Sequence, residues 1–183
     1  MLRTSPQSWN NYIPLARSVI SQLDTTTFMQ QSSRTTEQVW VIAGLQRLAY
    51  MDADNGGVPD VASWCSRQWL VISQRQPQNI AALRGIGQSW LSRAQPVLAR
   101  IHRSEGSSSS SGGSSQQSGP SRSVNNRERR SGNGRTTEER RTDTQDYVEA
   151  RQYLQPATEY LERAVTAATT QRAISGDLLT TVR

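Results

Sequence analysis

The chain contains no lysine: every one of its 21 basic residues is arginine. That absence excludes chemistry built on an ε-amine, Schiff-base catalysis and the phosphate-gripping lysine of a P-loop included. It also leaves no side-chain amine for ubiquitin attachment, although a GC-biased genome favouring arginine codons is the simpler explanation of the composition. Histidine is reduced to His102 and cysteine to Cys65. With one of each, no histidine–cysteine zinc cluster of familiar spacing can be assembled and no disulfide can close within the chain. A lone thiol without a secretory leader points to a reducing, intracellular setting, cytoplasmic or nuclear. Arg3 and Arg17 precede the first acid, Asp24, on an amphipathic pattern. Mitochondrial import is therefore a minor alternative, with few arginines to support it. Long apolar runs are missing too: the densest, Val39 to Ala43 and Trp69 to Ile72, are core-sized, far short of the roughly 18 residues that cross a bilayer. No membrane insertion is expected.

What is present is helical periodicity. Trp9, Tyr12, Ala16, Val19 and Leu23 recur at steps of three and four and predict a helix over about 8–24, with Pro14 in its first turn. Thr35 and Gln38 have the form of a capping box opening a second helix that ends near Asp52. Asn55, Gly56 and Gly57 mark a turn, after which Asp60 is expected to cap a third helix carrying Val61, Trp64, Cys65, Trp69 and Ile72. Pro77 and Asn79 set the next boundary. Leu83, Ile86, Trp90, Val97 and Ile101 continue the pattern, with Pro96 predicting a kink or a division. Tyr147, Ala150, Leu154, Ala157, Leu161, Ala164 and Ala168 form the cleanest seam, on one helix or on two divided at Pro156.

Between these segments the composition turns to Ser, Gly, Gln, Asn and Arg, with Val124 the one large apolar residue from Glu105 to Thr144. Such a tract buries too little surface to offset the entropy of ordering it, and disorder is expected. The organisation read from sequence is thus a helical domain over 1–104, a disordered linker over 105–144, a C-terminal helix or helix pair over 145–175 packed on the N-terminal helices, and a tail over 176–183. The fold class expected is all-α, with stacked antiparallel hairpins.

Leu83, Ile86, Gly87 and Trp90 reproduce the large-x-x-apolar-Gly-x-x-aromatic spacing of a repeat's first helix, while Cys65, Trp69, Ile72 and Pro77 match its second. In these positions the chain resembles a divergent tetratricopeptide array of about two repeats, over 36–103 and in part 145–173. Trp40, Ala43 and Gly44 fit the first-helix pattern as well, with Arg47 departing from the expected aromatic. The resemblance implies a concave face that holds peptides or helices of other proteins. It makes Trp40, Trp69, Leu83, Trp90, Tyr147, Leu154 and Leu161 the candidate partner-binding or packing seam.

Candidate chemistry is sparse. His102 reads as an exposed helix-end residue, and Cys65 as a small buried apolar one. Asp52, Asp54 and Asn55 are similar to the start of a calcium loop, but Gly56 and Ser63 stand where ligands belong. Gly85 to Gly87 lies in a helical pattern without a preceding strand, so it is no phosphate loop. Glu159, Glu162 and Arg163 read as solvated helix charges. No catalytic residue, metal ligand or cofactor site emerges, and no enzyme is expected. Arg127, Arg129, Arg130, Arg135, Arg140 and Arg141 form the remaining cluster, diluted by Glu128, Glu138 and Glu139 and lacking aromatics for base stacking. The leading expectation is a protein–protein adaptor or scaffold subunit within a complex. The alternative is a nucleic-acid-associated accessory protein using those arginines, and an accessory subunit of an enzyme is a third.

Overall fold

The computed structural model describes residues 8–109, 145–173 and 180, and among these every regular element is helical. Helices α1 (Ile13–Thr25), α2 (Thr35–Ala49), α3 (Pro59–Arg75), α4 (Ile80–Ser109) and α5 (Gln145–Thr170) are joined, up to α4, by short connections that include 3₁₀ turns. The candidate arginines from Arg127 to Arg141, and the expected linker from residue 110 onward, lie outside the described residues. Helix α4 itself continues to Ser109, beyond the boundary expected at 105.

The helices stack as antiparallel hairpins. Ser66 and Trp69 of α3 meet Ser89 and Gly85 of α4, so residue numbers fall along one helix as they rise along the other. Gln46 of α2 and Tyr50, the residue that caps it, meet Gly85 and Ser89, the same offset of 39 residues in each case, so α2 and α4 run parallel. Helix α5 runs antiparallel to α4, with Leu161 against Gly87 and Asp146 against Arg100. Helix α1 lies parallel to α3, tied by Arg17 to Asp60 and by the Trp64 indole N–H donating to Asp24.

The main core gathers Ile42, Val61, Trp64, Cys65, Trp69, Ile72 and Ile86, and partly buried Tyr160 brings α5 into it. The buried isoleucines and Val61 each contribute about 1.5–3 kcal/mol by leaving water. Leu83 packs with Ala164, Ala167 and Ala168, and Val97 and Ile101 pack with Ala150. Gly87 on α4 lets α5 come close: a Cβ there would sit 2.7 Å from Leu161 Cγ and 3.2 Å from the Ala157 carbonyl oxygen. Both internal prolines lie in unbroken helices, Pro96 in α4 and Pro156 in α5. The division expected as one option at each is therefore absent. The carbonyls that receive no bond from the prolines belong to Ser92 and Gln152, and neither residue is buried.

Local details depart from expectation in three places. The buried stripe of α1 contains Ile13, Ala16, Ile20 and Leu23, whereas Tyr12 and Val19 are exposed. The turn Ser8–Tyr12 is 3₁₀, with three residues per turn, and it shifts the phase carried forward from Trp9. The capping box does not form: Thr35 is already inside α2 and donates to the Ser32 carbonyl. Gln38 instead donates to the carbonyls of Phe28 and Gln31, both at 2.7 Å. Arg75 donates to the Met29 and Gln30 carbonyls, so the connection before α2 is held from two helices. Asp60 does not cap α3. It lies within the first turn, after Pro59, and its carboxylate accepts from Arg17. Asn79 does cap α4, accepting from the Ala82 amide at 2.9 Å.

Candidate functional site

Because α2 and α4 run parallel with α3 behind them, a groove opens between the two. Its volume is about 630 Å³, and Val39, Ala43 and Arg47 of α2 face Arg84, Gln88 and Leu91 of α4 across it. Trp69 of α3 closes the floor, together with Gln46 and Gly85.

The floor is fixed by hydrogen bonds. The Trp69 indole N–H donates to Gln46 Oε1, and Gln46 Nε2 donates to the Gly85 carbonyl at 3.0 Å. Gly85 is demanded by this approach, since a Cβ there would come within 2.4 Å of the Trp69 ring. Beside the floor a second polar cluster joins the same helices. Arg93 donates to Ser66 Oγ at 3.0 Å, Ser66 pairs with Ser89, and Ser89 pairs with the Tyr50 hydroxyl. The Arg93 guanidinium also lies 5.1 Å over the Trp90 ring. Among the described residues this cluster holds no carboxylate or imidazole to take a proton from either serine.

The groove is positively charged. Arg47 and Arg84 line it, no acidic side chain does so among the described residues, and neither arginine makes an ion pair there. Trp40 is not part of the lining, but it is 74% exposed and precedes the lining residues Ala43 and Arg47 by one and two helical turns, which puts it near the groove's edge. Gly44, on the same outer face, has open space around it. A solvated tryptophan near two arginines that meet no carboxylate among the described residues is an unusual use of apolar surface in a folded chain.

The seven seam residues divide accordingly. Trp69, Leu83 and Leu161 are buried between helices, and Trp90, Tyr147 and Leu154 are partly buried along the α4–α5 contact, where Trp90 meets Tyr153 at 6.3 Å. Of the seven only Trp40 is offered to solvent, so the positions aligned by the repeat pattern, Trp40 with Leu83 and Gly44 with Gly87, occupy unlike surroundings. Arg47, Arg84, Gln88 and Leu91 were not singled out from sequence as groove residues. Their signal is faint, since Arg84, Gln88 and Gln95, with Leu91 among them, trace a mostly polar stripe at helical spacing that resembles any solvated face.

Cys65 is 1% exposed, its sulfur 3.8 Å from the Ile42 carbonyl oxygen, and burial pushes its thiol up to about 12. His102 is exposed on α4. The carboxylate of Asp52 accepts from the Asn55 side chain at 2.9 Å, and the described residues contain no grouping of His, Cys, Asp and Glu arranged to hold a metal ion. No helix among the described residues is long and apolar enough to cross a membrane. A second exposed apolar stripe, Tyr12, Leu15 and Val19, runs along the outer face of α1. Comparison of the chain with protein-family models, with curated proteins and with solved structures finds no match.

Proposed function

We propose that the chain is a tetratricopeptide-like helical adaptor whose α2–α4 groove holds a segment of a partner protein, as a subunit of a larger complex in the cytoplasm or nucleus. The observation that carries the reading is exposed Trp40 beside a groove whose two arginines lack carboxylates among the described residues. The groove's rigid floor supports it further, because a recess preformed by Trp69, Gln46 and Gly85 needs little ordering when a ligand arrives. Its chemistry favours an apolar segment bearing an acid: the tryptophan supplies area, and a guanidinium pairs best with a carboxylate in two parallel hydrogen bonds. The parallel run of α2 and α4, with α3 antiparallel to both, supports the tetratricopeptide-like reading, and the loop before α3 is longer than that family's tight turn.

The test is selection of a random displayed-peptide library on the native chain, with counter-selection on a chain carrying Trp40→Ala, Arg47→Glu and Arg84→Glu. Enrichment of acidic, apolar peptides by the native chain alone supports the reading. Equal enrichment on both chains rejects it. The alternative, nucleic-acid binding through Arg127 to Arg141, rests on residues outside the described part of the chain. It requires affinity that falls steeply with salt and vanishes when residues 110–144 are deleted.

A further inference from the structure

Helix α5 ends in an uncommon way. Ala173 N–H donates to the Ala168 carbonyl at 2.8 Å and Arg172 N–H to the Thr169 carbonyl at 3.1 Å, the paired bonds of a Schellman motif. Its left-handed position is filled by Arg172 at φ 52°, a conformation that glycine normally supplies. The motif reverses the chain, and Gln171 fixes where this happens: its Nε2 donates to the Gln78 carbonyl at 3.0 Å, in the turn between α3 and α4. That turn lies at the groove's own end, beside Ala81 and Arg84. Seven residues later Thr180 lines the same groove as Arg47 and Gln88. Seven residues reach roughly 25 Å when extended, ample for the path from the turn into the channel.

The sequence of this stretch fits the groove's chemistry. Ile174 to Arg183 reads Ile-Ser-Gly-Asp-Leu-Leu-Thr-Thr-Val-Arg, with a single acid, Asp177, followed directly by Leu178 and Leu179. One carboxylate beside a pair of leucines fits a groove in which Arg47 and Arg84 stand beside the apolar Val39, Ala43 and Leu91. We infer that the C-terminal segment 174–183 is a tethered ligand of the α2–α4 groove, one that an outside partner must displace. The inference rests on the reading of the groove as a peptide site. It adds that the site is self-occupied, so the chain binds its partner more weakly than the bare groove would, by the tether's effective concentration.

The experiment uses the full chain throughout, native and with Leu178→Asp plus Leu179→Asp, and a synthetic peptide of residues 174–183. Amide resonances of Ala43, Arg47, Ala81, Arg84 and Gln88 report the groove, and circular dichroism verifies that both chains are equally helical. The variant's groove resonances are expected to differ from the native ones and to return toward them as peptide is added. The native chain should bind the same peptide roughly tenfold or more weakly than the variant does. Asp177→Asn should give a smaller displacement in the same direction. Groove resonances that ignore the tail substitutions, or a peptide that binds both chains equally or neither, would overturn the inference. Library peptides that engage the groove in such a case leave the functional reading standing alone, so the two failures are distinguishable.

Discussion

The indole N–H of Trp69 donates to Gln46 Oε1, and through Gln46 it is joined to the Gly85 carbonyl, so one side chain links α3, α2 and α4. Both partners are buried, Trp69 at 1% exposure. Replacing Trp69 by phenylalanine leaves Gln46 Oε1 without its donor in a nearly dry place, at a cost of about 1–3 kcal/mol. Urea denaturation should show the midpoint falling at unchanged m-value. The Trp69→Ala chain should lose more, about 3–5 kcal/mol, through the cavity left behind.

Two glycines on facing helices should respond oppositely to alanine. Around Gly44 there is open space, and alanine there should stabilise α2 by about 0.5–1 kcal/mol through helix propensity and reduced freedom of the unfolded chain. At Gly85 the added methyl would strike the rigid Trp69 ring at 2.4 Å, and overpacking of about 1–3 kcal/mol outweighs the same propensity gain. Thermal unfolding of the two variants beside the native chain checks the difference in sign.

Arg172 offers a third backbone test. Its φ of 52° is the left-handed region, so Arg172→Gly relieves a penalty of about 1 kcal/mol and should raise the unfolding midpoint. Arg172→Val, with a branch at Cβ, should lower it.

Cys65 predicts a dependence on alkaline pH. In the folded chain its thiol is held neutral up to about 12, against an ordinary value of 9.0. Between those two values the unfolded chain has already lost the proton that the folded chain keeps, so stability falls as pH rises through the window and is unaffected below it. The slope approaches about 1.4 kcal/mol per pH unit. Cys65→Ala removes that slope, whatever constant cavity cost it carries, and the difference between the two denaturation profiles isolates the thiol from tyrosine titration. Below pH 9 the native thiol should resist alkylating reagents until the chain is unfolded.

Much of the fold is legible in the sequence because burial repeats at helical spacing. Ala150, Ala157, Leu161, Ala164 and Ala168 carry their seam into α5 intact, and Asn79 and the Gly56–Gly57 turn stand where their chemistry puts them. Phase is harder to read than periodicity: a single 3₁₀ turn at Ser8–Tyr12 rotates the buried face of α1 from Tyr12 and Val19 to Ile13 and Ile20. Thr35 and Gln38 have capping-box spacing, but a connection that folds back to offer the Phe28 and Gln31 carbonyls captures Gln38 instead. The groove is not legible, since it depends on which face of α4 is left after α3 and α5 have taken theirs. Trp40 illustrates the limit, reading as one more aromatic in a repeat while lying 74% exposed.

Trp40→Ala should change stability by less than about 0.5 kcal/mol, because the side chain loses little contact in the folded state. Its effect belongs to binding, where truncating an exposed tryptophan anchor is expected to cost about 2 kcal/mol or more.

The most direct measurement is calorimetric titration of a library-selected acidic, apolar peptide into the native chain and into the Trp40→Ala, Arg84→Glu and 110–144-deleted chains. The groove account predicts that the first two substitutions each weaken binding roughly tenfold or more, while the deletion leaves the affinity unchanged. Affinity that survives both substitutions, or that disappears with residues 110–144, would contradict it.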